Sequence, residues 1–157
     1  MIEFNTIACS EIPEDHPVRA FSRCWFKETS GGELFLWSAF NPMKFPTILP
    51  WIMVVDCVSD VEYRYRLCGT GCEQLLGVNL TGETFGSHVD PEWAKSQLST
   101  FESIKAGQGP IFSGGTVPVV DRDHIKVFRG LFPFSSAGDT VDRMVAVLAP
   151  DSAKIGQ

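Results

Sequence analysis

The chain has 157 residues, a formal net charge of −6, 44% hydrophobic and 20% charged residues; this is the composition of one globular domain, and it excludes a chain disordered by composition. No cluster of four or more Lys/Arg occurs in this acidic sequence, which speaks against a nucleic-acid binder, since such proteins carry a basic patch. The cysteines Cys9, Cys24, Cys57, Cys68 and Cys72 are odd in number, so reduced, mostly buried thiols in the cytoplasm fit better than a secreted disulfide framework.

In chain order, residues 1–15 read as an irregular polar segment. They hold no basic region followed by an apolar one, so no secretory leader is expected. Asp15 and Pro17 mark a helix start. Val18, Phe21 and Trp25 recur at helical spacing up to Gly31-Gly32, and Phe26 lies off that stripe. Residues 33–50, with Pro42, Pro46 and Pro50, read as a tethered connection. The apolar run from Ile48 to Val58 is broken by Pro50 and Asp56 and is too short to cross a bilayer, so no membrane insertion is expected.

Ile52–Val58 and Glu62–Cys68 predict two strands joined at Ser59-Asp60. Thr70–Leu76 predicts a short helix closed by Gly77, and Leu80–Val89 a further short helix or turn. Asp90-Pro91-Glu92 predicts the start of a long helix carrying Ala94, Leu98, Phe101 and Ile104, ending at Gly107. Three strands follow, at about 111–120, 125–134 and 141–148, with turns at Asp121–Asp123 and Ser135–Asp139.

Strands separated by a block of helices predict an α+β domain with an antiparallel sheet. The strands are apolar at both parities, as in Met53-Val54-Val55 and Met144 to Leu148. A sheet with one wet face would alternate, so the second face is expected to be covered by the Pro17–Thr29 helix or by another subunit.

The string Tyr65-Arg66-Leu67-Cys68-Gly69-Thr70, then Glu73-Gln74-Leu75-Leu76-Gly77 and Leu80-Thr81-Gly82, resembles the PAS domain superfamily. In particular it resembles a bacterial, alphaproteobacterial-type PAS-like family with an R-L-x-G-T motif and a Leu-Thr-Gly turn. Trp25, the Pro-rich connector, Asp56 and Gly109-Pro110 fit that family too, and the resemblance runs from about Phe21 to Pro150. It implies a five-stranded antiparallel sheet with helices on one face, a small internal cavity that can hold a ligand, and a sheet surface used for dimer or partner contacts. The domain is then expected over residues 16–150, with a short tail at 151–157 and the N-terminal helix covering the second face. A sensory or signalling module is implied, acting on an unidentified signalling protein; ending at Gln157, the chain is expected to have its output in another protein.

No cofactor can be named from the sequence. Some PAS domains ligate haem through a histidine on the long helix, but Pro91–Ala106 has none and His88 lies just before it. The light-sensing branch places a cysteine in an Asn-Cys-Arg-Phe motif, and the corresponding Gly77–Gly82 stretch has no cysteine. Cys68 and Cys72 form a C-x3-C spacing without a second pair, so buried thiols are expected rather than a metal site. Neither a G-x-S-x-G elbow nor paired carboxylates in an apolar helix appear, so no catalytic residue is assigned. The enzyme alternative is a small cone-type α+β isomerase or dehydratase using Asp56 or His88 as acid or base. A pure interaction module without ligand is the other alternative.

The expected ligand site lies between the sheet and the 91–106 helix, with Phe85, Phe101 and Phe128 as apolar walls and Arg66 and Cys72 as polar members. Strand parity leaves two readings of Arg66. One places Arg64 and Arg66 on the outer face, one of them paired with Asp56; the other, from alignment with PAS domains, turns Arg66 and Cys68 inward, toward Asp56 or an anionic ligand. Phe26 and Phe35-Leu36-Trp37 make a surplus of apolar surface beside the N-terminal helix, which predicts a homodimer through that helix.

Overall fold

The apolar residues at both strand parities find their explanation in a sheet buried on two sides. The computed structural model describes residues 2–30 and 34–156. Its strands are β1 (Phe4–Ile7), β2 (Ile52–Cys57), β3 (Tyr63–Cys68), β4 (Ile111–Thr116), β5 (Lys126–Phe134) and β6 (Arg143–Pro150). They form one antiparallel sheet in the order β1-β4-β5-β6-β2-β3. The helices are α1 (Pro17–Glu28), α2 (Thr70–Leu76) and α3 (Pro91–Lys105).

One face carries Met53, Val55, Tyr63, Tyr65, Leu131, Met144, Ala146 and Leu148, packed with Leu75, Leu76, Phe101 and Ile104 of α2 and α3. The other carries Ile52, Val54, Phe132, Phe134, Val145 and Val147 against Val18, Phe21 and Trp25 of α1 and against Phe35, Phe40 and Ile48 of the connector. The expected cover of the second face by the N-terminal helix is thus what the fold contains. The Gly31-Gly32 end expected for that helix lies outside the described residues; α1 itself ends at Glu28, with Thr29 as its C-cap.

Two expectations are corrected. The sheet has six strands, not five, and the N-terminal segment is not irregular throughout, because Phe4–Ile7 pair with Phe112–Gly115. The polar look of this segment reflects an edge strand in which each face holds one half-buried apolar and one exposed polar residue. Gly115 permits the close approach: a Cβ there would fall on the backbone of Glu3 and Phe4. The Leu80–Val89 stretch is a series of turns, closer to the second of its two readings.

The N-cap of α1 is His16 rather than Asp15: its Nδ1 accepts from the Val18 amide at 3.1 Å. The other ring nitrogen, Nε2, lies 2.8 Å from Pro150 O and donates to it. Both nitrogens are thereby committed in the neutral ring, which is fully buried, and burial lowers the pKa below the ordinary 6.5. Because the folded value is the lower one, the contribution is complete above the unfolded pKa and is lost as pH falls from about 6.5 toward the folded value. The thermal midpoint is therefore expected to fall more between pH 7 and pH 5 in the wild type than in His16→Asn, which keeps a capping acceptor but takes up no proton. Equal slopes in the two proteins would contradict this.

Candidate functional site

The register of β2 with β3 decides which side chains of β3 face inward. Val54 is paired with Leu67 and Val55 with Tyr65, so Arg66 is the extra residue of a β-bulge. Before the bulge Tyr63 and Tyr65 are buried and Arg64 is exposed; after it the parity flips, so Cys68 is buried and Leu67 is partly exposed. Each sequence reading is right for one residue: Cys68 turns inward and Arg66 outward.

The motif residues build the edge of the site. Gly69 donates to Ile52 O at 2.8 Å, and a Cβ there would meet the backbone of Pro50 and lie 2.7 Å from Leu49 O. Thr81 Oγ1 accepts from the Cys68 amide at 3.1 Å. Gly82, at φ 84°, donates to Tyr65 O, and Tyr65 N donates to Glu83 O at 2.9 Å. The Leu-Thr-Gly turn therefore satisfies backbone groups that β3, as an edge strand, turns away from β2. It also brings Phe85 inward, where its ring meets Phe101 at 4.7 Å and Tyr65 at 6.1 Å.

Beneath that turn, between the sheet and α3, lies a cavity of about 30 Å³ lined by residues that include Phe4, Tyr65, Phe85, Trp93, Phe101 and Arg129. Its walls are apolar apart from a few polar tips. Arg129 stands on β5 in an otherwise apolar run, on the same face as Val127 and Leu131. It is 4% exposed. One Nη donates to Gln97 Oε1 of α3, and the guanidinium lies 4.6 Å from the Phe4 ring centroid and 5.8 Å from that of Trp93. Its Nε–H is buried without an acceptor, as is the indole N–H of Trp93. Burial pulls the guanidinium down to about 9, with the nearby Tyr65 acting in the opposite direction, so it stays protonated at neutral pH. The same burial pushes the Tyr65 phenol up. A buried arginine normally has a carboxylate partner; among the described residues none lies within ion-pair distance of Arg129.

Of the five site residues read from the sequence, Phe85 and Phe101 line the cavity. The other three do not. Arg66 is outside, bound through Nε to Asp56 at 3.0 and 3.2 Å. Cys72 belongs to the same core, but its thiol points to Leu148 O at 3.5 Å, and burial pushes its pKa up. Phe128 lies on the opposite face, edge-on to His16 at 5.2 Å. Strand period two explains the last correction, since Arg129 and Leu131 face the cavity and Phe128 cannot. Asp56 makes the expected ion pair with an arginine of β3 and a second, 2.7 Å long, with Arg143. Arg64, its opposite number in the register, bonds Glu62 instead. His88 is half-exposed, 3.9 Å from Glu83.

Haem and flavin do not fit the cavity as it stands. It is far smaller than the roughly 300–1,000 Å³ of ligand pockets, and no histidine or cysteine lines it. A larger hollow of about 360 Å³ on the α1 side, over Asn5, Ile7, Gly114 and Phe128, is open to solvent.

The family model described as PAS domain matches residues 14–149. Among solved structures, the PAS domain of Bordetella pertussis BvgS is similar at a TM-score of 0.52 and 19% identity, over 69% of this chain and 85% of that one. An RNA-binding Light-Oxygen-Voltage receptor is similar at a TM-score of 0.51 and 16% identity, over 96% of this chain and 39% of that one. At these identities the likeness is one of fold. No curated protein matches the sequence.

Proposed function

The chain belongs to the PAS domain family, whose members are sensory and signalling modules, and from that premise we propose that it binds a small ligand in the cavity beneath α3 and reports occupancy to a partner protein from its α1 side. The observation that carries this reading is a pair of buried N–H groups without acceptors, on Arg129 and Trp93, two residues that both line one cavity. Buried donors left unmet cost stability, and a ligand that satisfies them recovers it.

The path for the signal is short. β5 and β6 present Arg129, Leu131, Ala146 and Leu148 to the cavity and Phe132, Val145 and Val147 to the α1 side. Next to Arg129, a Cβ on Gly130 would come 2.9 Å from Val18 Cγ1 of α1, so helix and strand are in close approach there. The Trp25 indole donates to Pro133 O of β5 at 3.1 Å. A ligand with different affinity for two packings of α1 on β5 would shift their populations.

The domain in this proposal spans residues 16–150, with β1 adding an edge strand and 151–157 a tail. It works in the cytoplasm, a reading supported by five free cysteines; among the described residues no helix is long and apolar enough to cross a membrane. A non-enzymatic role is supported by the placement of the two acid–base candidates: Asp56 is held between two arginines and His88 lies outside the cavity.

Self-association belongs to the same proposal. Phe35 and Trp37 fold into the chain's own core beside Phe134, but Phe26 on α1 is 51% exposed, and Leu36 and Met43 of the connector are 40% and 73% exposed. A homodimer covering these side chains is expected. Sedimentation should give a dimer at micromolar concentration and a monomer for Phe26→Glu. A wild-type monomer would remove the dimer from the proposal. The ligand reading is tested by native mass spectrometry of the purified protein against a small-metabolite library. A bound mass that disappears on denaturation supports it, and bare protein throughout contradicts it.

A further inference from the structure

The chemistry of the cavity wall narrows the ligand. We propose that the cavity binds a small monocarboxylate, about the size of formate, whose carboxylate is held by the Nε–H of Arg129 and the indole N–H of Trp93. This rests on the reading of the cavity as a ligand site and names what that site takes.

Three observations select the class. The first is charge. Arg129 is a buried cation with no carboxylate within ion-pair distance among the described residues, and its only side-chain acceptor is the neutral amide of Gln97. A single negative charge compensates it; a dianion would leave a buried excess of the opposite sign. The second is the donor set. Guanidinium and indole N–H groups donate and cannot accept, and a guanidinium edge matches a planar carboxylate better than a spherical ion. Phe4 joins the two donors into one cluster, with Trp93 edge-on at 5.4 Å and the guanidinium over its face at 4.6 Å. The third is size and surroundings. A void of about 30 Å³ takes an occupant of roughly two or three heavy atoms, given that one water needs about 10–15 Å³. Apart from Tyr65 the remaining walls, among them Phe85, Phe101 and Leu131, are apolar, so an acid with little beyond its carboxylate fits best.

The test is a titration of the ¹⁵N-labelled full chain followed at its tryptophan indole N–H signals. Sodium formate is added at constant ionic strength held with sodium sulfate, whose bulk exceeds the cavity. Trp93→Phe identifies the relevant signal; Trp25, Trp37 and Trp51 are internal controls. Formate should shift the Trp93 signal along a saturating curve while the other three move little, with affinity at least tenfold weaker in Arg129→Met. Formamide, the neutral isostere, and chloride should give no saturation at the same concentration. A formate curve unchanged in Arg129→Met, or one matched by chloride, would overturn the assignment. Saturation by formamide but not formate would overturn it while leaving the cavity a ligand site. No movement with either would overturn the assignment, and the ligand reading itself would then stand or fall with the native mass spectrometry. Should Arg129→Met lose its dispersed spectrum, the wild-type preference for formate over formamide decides by itself.

Discussion

Gly69→Ala is expected to destabilise the protein by about 3 kcal/mol, the upper end for overpacking a tight site. Gly69 has an ordinary backbone conformation, φ −63° and ψ 155°, so its identity is not a matter of torsional freedom. The reason is space. A methyl group there would press on the Pro50 carbonyl and lie 2.7 Å from Leu49 O and 2.8 Å from Pro50 C. All three are backbone atoms and no side chain can swing away. Separating them breaks the 2.8 Å bond from the Gly69 amide to Ile52 O, at the point where β2, β3 and α2 meet. Against a typical total of about 5–15 kcal/mol, this should move the urea midpoint by a large fraction of its value. Gly82→Ala is the control, since nothing lies within 4 Å of its added Cβ and only the left-handed φ of 84° opposes it, at about 1–2 kcal/mol. Equal effects of the two substitutions would contradict the steric account.

The second large effect has the opposite sign. Arg129→Met combined with Gln97→Leu is expected to stabilise the unliganded protein by about 1–4 kcal/mol, the range seen when buried ionic groups give way to apolar residues of similar volume. Removing both partners matters, because Arg129→Met alone leaves the Gln97 carbonyl buried without its donor and so offsets part of the gain. Loss of the contact between the guanidinium and Phe4 offsets a little more. A binding site that is costly to keep when empty is the pattern expected where stability is given up for function. Urea unfolding of the double variant decides: a loss of more than about 2 kcal/mol would make Arg129 a structural residue, and the ligand assignment would lose its motive.

Much of this was legible in the sequence, for reasons that can be stated. Helix ends carry strong local signals: Asp90-Pro91 opens α3, its carboxylate accepting from Trp93 N at 2.9 Å, and Gly77 closes α2 in the left-handed conformation. The burial of both sheet faces followed from apolar residues at both parities. What failed was nonlocal. β1 has no signal of its own, because an edge strand of four residues is defined by the partner it finds, here β4. The bulge at Arg66 changes parity inside a strand of only six residues, and no local pattern announces it, so strand parity alone leaves both an outward and an inward reading of Arg66 and cannot separate it from Cys68. Arg129, by contrast, could have been found: it stands alone as a charge in Val127–Phe134, two residues from Val127 and from Leu131, and period two alone places it on their face. By the same parity Phe128 belongs to the opposite face. Trp93, in the first turn of α3, has no such signal, and neither does its unmet N–H, which only packing reveals.

That the cavity senses and α1 reports is tested most directly by hydrogen–deuterium exchange of the intact protein with and without saturating formate, and with formamide as the neutral control. Formate should slow exchange in the 80–94 segment and in β5, and should also change it in α1 at residues 17–28, on the far side of the sheet, while formamide changes neither. Protection confined to the cavity walls, with α1 unaltered, would contradict signalling across the sheet.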